Sequence, residues 1–172
     1  MITRRGMLAS TIVAMAASPA LAKAKLGEDG LYQEDWYLES FLDLADDLTN
    51  ASQGGKRFVI LWGLRNCPAC RRMHEVHLAD PAIESYIRDN FAVLHLNILG
   101  AREVTDFDGG KLTEKALAKH YGIEGTPAIQ FFPTSATGLA AKPPKEREVA
   151  RMASLPEPQA FLAQFRAVRN GV

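Results

Sequence analysis

Cysteine is nearly missing from this chain. Cys67 and Cys70 are the only two in 172 residues, so no framework of disulfides holds the fold together. No cysteine precedes Cys67, which leaves no residue for a lipid-modified N-terminal cysteine. Net charge is missing too, with 20 basic residues against 20 acidic ones. That balance lacks the basic excess of a nucleic-acid footprint, and no glycine-rich loop able to cradle phosphates occurs. Beyond Ala22 no apolar run approaches the ~20 residues that span a bilayer. No internal repeat and no second domain boundary interrupt the chain.

The first 22 residues have the composition of an export signal: Arg4 and Arg5, then the uncharged stretch Met7–Ala17, then Ala20-Leu21-Ala22 as a small-x-small cleavage pattern. Cleavage there leaves Lys23 as the new N-terminus and no stable membrane insertion. Removing Arg4 and Arg5 takes the formal net charge from 0 to −2. Thr3-Arg4-Arg5-Gly6-Met7-Leu8 also resembles the twin-arginine signal, so the general and twin-arginine routes both stay open. The reading divides the chain into a signal peptide at 1–22, a loose polar arm at 23–34 and one domain at 35–172.

Within that domain, Leu38, Phe41, Leu42, Ala45 and Leu48 follow the helical period from Asp35 until Gly54-Gly55 stops it. Arg57–Trp62 reads as a buried strand. Asn66-Cys67-Pro68 opens a helix to about Leu78, with proline at the first helical position, where its missing N–H costs nothing. Another helical piece starts at Asp80-Pro81, and Phe91–Leu99 is a second strand, parallel to the first through this crossover. A polar loop, 100–111, precedes a helix capped by Thr113 and stopped by Gly122. Ala128–Phe132 is a third strand, 139–145 a floppy extension, Glu146–Met152 an edge strand and Pro158–Val168 a closing amphipathic helix.

The two thiols, three residues apart, can close a small disulfide or hold a metal. A ring that small removes little unfolded-state entropy, so as a staple it is poor, and chemistry explains the pair better. Cys67 at a helix start meets free N–H groups and the positive end of the helix dipole, which favour its thiolate. Cys67 is therefore the nucleophile, with Pro68 and Ala69 forming its helix-start environment, and Cys70, one turn in, resolves the mixed disulfide. Arg65, Arg71 and Arg72 either add positive potential or form a solvated rim. Cys67, Cys70, His74 and His77 share one helical face, yet a rise of ~1.5 Å per residue sets Cys67 and His77 about 15 Å apart. They cannot share a tetrahedral metal, and only His95 and His120 remain as further histidine ligands. His74 and His77 read as surface or rim residues, with His74 near enough to tune the thiols. No metal is assigned.

Strand–Cys67-Pro68-Ala69-Cys70–helix, Gly125-Thr126-Pro127 before the third strand and a closing hairpin and helix together resemble the thioredoxin superfamily over Asp35–Val168. Asp106–Gly110 and Leu112–Ile123 are similar to periplasmic thioredoxins encoded with sulfur-oxidation genes. The resemblance implies an α/β, thioredoxin-like fold: a central mixed sheet of about four strands flanked by helices, with an extra N-terminal helix. It also implies that Pro127 is cis beside the cysteines, with Thr126 offering its backbone to a substrate strand. By the same resemblance the chain is a periplasmic thiol–disulfide oxidoreductase of a Gram-negative bacterium. It needs no cofactor beyond the Cys67–Cys70 disulfide, and its partners are protein disulfides and a membrane thiol electron donor. The chain departs from the pattern at Leu61, where thioredoxins carry a buried Asp, and at Asn66-Cys67-Pro68-Ala69-Cys70, where they carry Trp-Cys-Gly-Pro-Cys. Proline after the first cysteine is similar to glutaredoxins and some oxidases. Reduction, isomerisation and disulfide donation thus stay open, as does a non-catalytic module that senses redox state or binds metal.

Overall fold

The computed structural model describes residues 25–171. The leader read over residues 1–22, and the cut before Lys23, lie outside the described residues. The elements run β1 (Lys25–Leu26), β2 (Tyr32–Gln33), α1 (Leu44–Gln53), β3 (Arg57–Gly63) and α2 (Pro68–Arg72). A π-helical turn, Met73–His77, prolongs α2. Then come α3 (Pro81–Asn90), β4 (Phe91–Asn97), β5 (Glu103–Thr105), β6 (Lys111–Thr113), α4 (Glu114–Tyr121), β7 (Ala128–Phe131), β8 (Ala150–Met152) and α5 (Pro158–Arg169).

The central sheet has the order β4-β3-β7-β8, with β3 and β4 parallel and the other two pairings antiparallel. β3 is apolar almost throughout because both of its faces are covered. Phe58, Ile60 and Trp62 face α1 and α4, with Leu48, Leu117 and Tyr121. Val59 and Leu61 face the other layer, with Met73, Ile83, Ile87, Phe161 and Phe165. The mixed four-stranded sheet between helices, with α1 ahead of its strands, is the expected fold.

Local structure differs from the sequence reading in five places. The first helix starts at Leu44, not Asp35, because Asp43 caps it by accepting from the N–H groups of Ala45 and Asp46. Upstream, Leu42 turns left-handed (φ 63°), and the Leu38 N–H donates to Val93 O on β4. The apolar spacing there serves an edge-covering segment, and Phe41 points fully into solvent. The arm read as loose contains the β1–β2 hairpin and buries Leu31. The polar 100–111 loop carries the β5–β6 hairpin. The 139–145 extension is pinned by buried Arg147, which donates to the carbonyls of Lys142 and Ala140. Finally, the cysteine helix changes to π geometry at Met73. Among the described residues no helix is long and apolar enough to cross a membrane.

Candidate active site

β3 delivers the chain to the site through Gly63, and Asn66, in the left-handed region (φ 59°), turns it into α2. Asparagine is one of the few residues with a side chain that visits this region readily. Cys67 is the N-cap of α2, with Pro68 at the first helical position. Cys67 and Cys70 are disulfide-bonded, with Cα atoms 5.2 Å apart. The Cys70 N–H donates to Cys67 Sγ at 3.0 Å. Both cysteines are buried, whereas Pro68 is exposed and Ala69 half-buried, so the pair is reached over the Pro68 side.

The Thr126–Pro127 peptide is cis, and Pro127 is buried. The Thr126 hydroxyl donates to Cys67 Sγ at 3.3 Å, and Thr126 O lies 3.5 Å from the same sulfur. Two donors, the Cys70 amide and the Thr126 hydroxyl, thus converge on Cys67 Sγ. Hydrogen bonds to sulfur favour its charged form. Cys67, Cys70, Thr126 and Pro127, 59 residues apart at Cys67 and Thr126, meet as one site.

The three arginines of this region are tied down at its rim. Arg71 pairs with Glu75, Arg72 with Glu157, and Arg65 donates to Asp29 O of the β1–β2 hairpin. The two histidines read as rim residues are buried instead. His77 is held 2.8 Å from Pro156 O and packs edge-on against Phe161. His74 lies 2.9 Å from Glu34 Oε1 through Nδ1 and 3.5 Å from the Tyr37 hydroxyl through Nε2. Tyr32 of β2 and the following Glu34 cover His74, whereas Pro156 and Phe161 cover His77; the π turn that carries both rings was not legible in the sequence.

Glu34 and Tyr37 are polar residues near the site that the sequence did not mark, and His95, read only as a spare histidine ligand, joins them. Glu34 stands 40 residues from His74, and no local pattern links them. His95 lies opposite Leu61 in the β3–β4 register and fills the space beside Gly63, where a Cβ would meet its Nε2. Burial first, then repulsion from His74 and Arg102, push His95 down to about 3, against a hydrogen bond to the Tyr32 backbone. His95 is therefore neutral at ordinary pH.

Away from the cysteines, Asp106, Asp108 and His120 bring ligand atoms within 4.8 Å of one another. A guanidinium already takes the cation's place there: Arg147 Nη1 pairs with Asp106 and Nη2 with Asp108, each at 2.8 Å. The Tyr121 hydroxyl donates to the other Asp106 oxygen at 2.7 Å. The group is a structural clasp between the β5–β6 hairpin and the 139–147 segment.

The family model for the thioredoxin-like domain matches residues 44–167. The chain belongs to this family. Among solved structures it is similar to a thioredoxin-fold protein from Helicobacter pylori, at 17% identity and TM-score 0.56, over 74% of this chain and 80% of that one. A thioredoxin from Thermus thermophilus matches at 21% identity and TM-score 0.54, over 73% and 83% of the two chains. A structure described as DsbH oxidoreductase matches at 15% identity and TM-score 0.54, over 95% and 96%. At such identities these likenesses concern the fold. No curated protein matches the chain. Family membership and the paired cysteines together make the chain, in general terms, a thiol–disulfide oxidoreductase.

Proposed function

We propose that the chain is an exported thioredoxin-like protein that reduces, or isomerises, disulfides of periplasmic proteins, of the kind encoded with sulfur-oxidation genes. The observation that carries this reading is the convergence of the Cys70 N–H and the Thr126 hydroxyl on Cys67 Sγ. It makes Cys67 the better leaving and attacking sulfur of the pair.

In the forward step the Cys67 thiolate attacks one sulfur of a substrate disulfide. The substrate S–S bond breaks, one substrate thiolate leaves and a Cys67–substrate disulfide forms. The Cys70 thiolate then attacks Cys67 Sγ and displaces the second substrate thiolate, leaving Cys67–Cys70 oxidised. Two electrons pass to the substrate, whose two thiolates take protons from water. Thr126, half-exposed next to Cys67, offers its backbone to the substrate strand, with cis Pro127 behind it. A membrane thiol donor returns the electrons, and no further cofactor takes part.

Cys67→Ser abolishes exchange with a protein disulfide, whereas Cys70→Ser accumulates mixed disulfides in the periplasm. A Cys70→Ser protein that captures no adduct there overturns the reading. The direction of flow is read from the reduction potential of the pair: near ~−270 mV it is a reductase, near ~−120 mV a disulfide donor.

A further inference from the structure

A hollow of about 190 Å³ opens beside the Thr126–Pro127 turn, and the exchange steps make no use of it. It begins at Gly125, one residue before Thr126, whose hydroxyl reaches Cys67 Sγ. Its walls include the small residues Gly122, Gly125, Ala128 and Ala153, and its charged residues are Glu124 and Arg151. Ala128 and Ala153 flank the Ile129–Met152 pair at the end of the β7–β8 ladder. Four wall residues with at most a methyl side chain leave open a space that larger ones would occupy. Sites for small molecules begin near about 300 Å³, so this one is sized for a single side chain.

The charge left over at the hollow is negative. α4 ends at Gly122, so the negative end of its dipole lies at one wall. Arg151 is already engaged: it pairs with Glu148 and donates to the carbonyls of Tyr121 and Gly122. Lys145 runs past Gly122 without lining the hollow. Glu124 is exposed, and its carboxylate has no ion-pair partner among the described residues. On the cysteine helix Arg71 and Arg72 are neutralised by Glu75 and Glu157, and Arg65, ahead of it, lies against the β1–β2 hairpin.

We infer that the hollow receives a lysine or arginine side chain of the substrate and that Glu124 pairs with its charge, so that disulfides in basic sequence are preferred. This deepens the dithiol reading above and rests on it. Glu124 sets specificity and takes no part in sulfur exchange, which Cys67 and Cys70 carry out as already described.

A long basic side chain suits this place. Its apolar stem lies along the alanine and glycine walls, and its cationic head stays in water at Glu124. A substrate strand laid along Thr126 advances about 3.3 Å per residue. The hollow starts one residue from Thr126, so the side chain that enters it stands one or two residues from the substrate cysteine. An acidic side chain in that position meets Glu124 and the end of α4, and like charges repel it.

The test uses short peptides, each dimerised through the disulfide of its one cysteine, with lysine, glutamine or glutamate on both sides of that cysteine. Reduced full-length protein is mixed with each, and the rate of peptide thiol release is divided by the rate with a small dithiol. That division removes the effect of the flanking charges on the disulfide itself. The wild type is expected to favour the lysine peptide over the glutamate peptide. Glu124→Gln lowers that ratio about threefold, the effect of one partly exposed ion pair, and Glu124→Lys lowers it further. Ala153→Leu keeps every charge and fills the hollow, and it lowers the ratio as Glu124→Gln does. A ratio unchanged in the Glu124 variants overturns the inference, and a ratio that survives Ala153→Leu overturns the hollow as the receiving place. In both cases release from the glutamine peptide by the wild type leaves the dithiol reading intact. No release from any peptide overturns both.

Discussion

The indole N–H of Trp62 donates to Gln130 Oε1 at 2.7 Å, joining β3 to β7 through two fully buried side chains. Gln130 in turn donates to Glu148 at 3.0 Å, and Glu148 pairs with Arg151. Arg151 reaches the carbonyls of Tyr121 and Gly122, just before the Thr126–Pro127 turn. This chain of bonds ties the strand that leads to the cysteines to the segment that faces them.

Gln130→Leu fits the space but leaves the Trp62 N–H buried without a partner. The expected cost is about 1–3 kcal/mol, the penalty for an unmade buried bond. Urea unfolding followed by tryptophan fluorescence measures it, and a variant as stable as the wild type contradicts the bond.

Asp47 confers a pH dependence on α1. Burial pushes its carboxyl up to about 6; the Ser40 hydroxyl opposes this, and the charges of Asp43 and Asp46 reinforce it. The folded state thus holds this proton more tightly than the unfolded chain, whose carboxyl titrates near 3.8. Stability from this group is full below about pH 4, falls as pH rises to about 6 and stays lower above. Asp47→Asn keeps an acceptor for Ser40 and removes the charge. It should match the wild type at acid pH and exceed it by about 1–3 kcal/mol at neutral pH. Equal stability of the two proteins at both pH values refutes this.

Asn66 holds a left-handed turn immediately before Cys67. Asn66→Gly should leave stability within about 0.5 kcal/mol of the wild type, as exposed substitutions usually do. Asn66→Val forces a branched side chain into that region and costs about 1–2 kcal/mol. Denaturant unfolding of the oxidised proteins separates the two, and coincident midpoints show that no left-handed residue is needed there.

The sheet and the cysteine pair were legible because their signals are local. The apolar run Phe58–Trp62, Pro68 at a helix start and Thr113 and Gly122 at the ends of α4 each act within a few residues. What escaped reading depends on long-range contact. Leu38 and Leu42 have helical spacing, but a bond to Val93 and a left-handed turn use them otherwise. His74 and His77 are polar by type, and partners distant in the chain, Glu34 at 40 residues and Pro156 at 79, help to make their burial tolerable. Thr126 and Cys67 were joined by resemblance alone, since cis geometry has no local signature.

The bond from Leu38 to Val93 has a consequence for crowding. β4 is an outer strand of the sheet, and bare outer strands recruit extended segments of other chains into fibres. The Leu38 bond and the neighbouring Trp36 side chain cover part of that rim. β8, on the opposite rim, is only three residues long. At high concentration the molecule therefore offers other chains little ladder on which to polymerise. The segment that spoiled the sequence's helical reading is part of what shields the outer edge of the sheet.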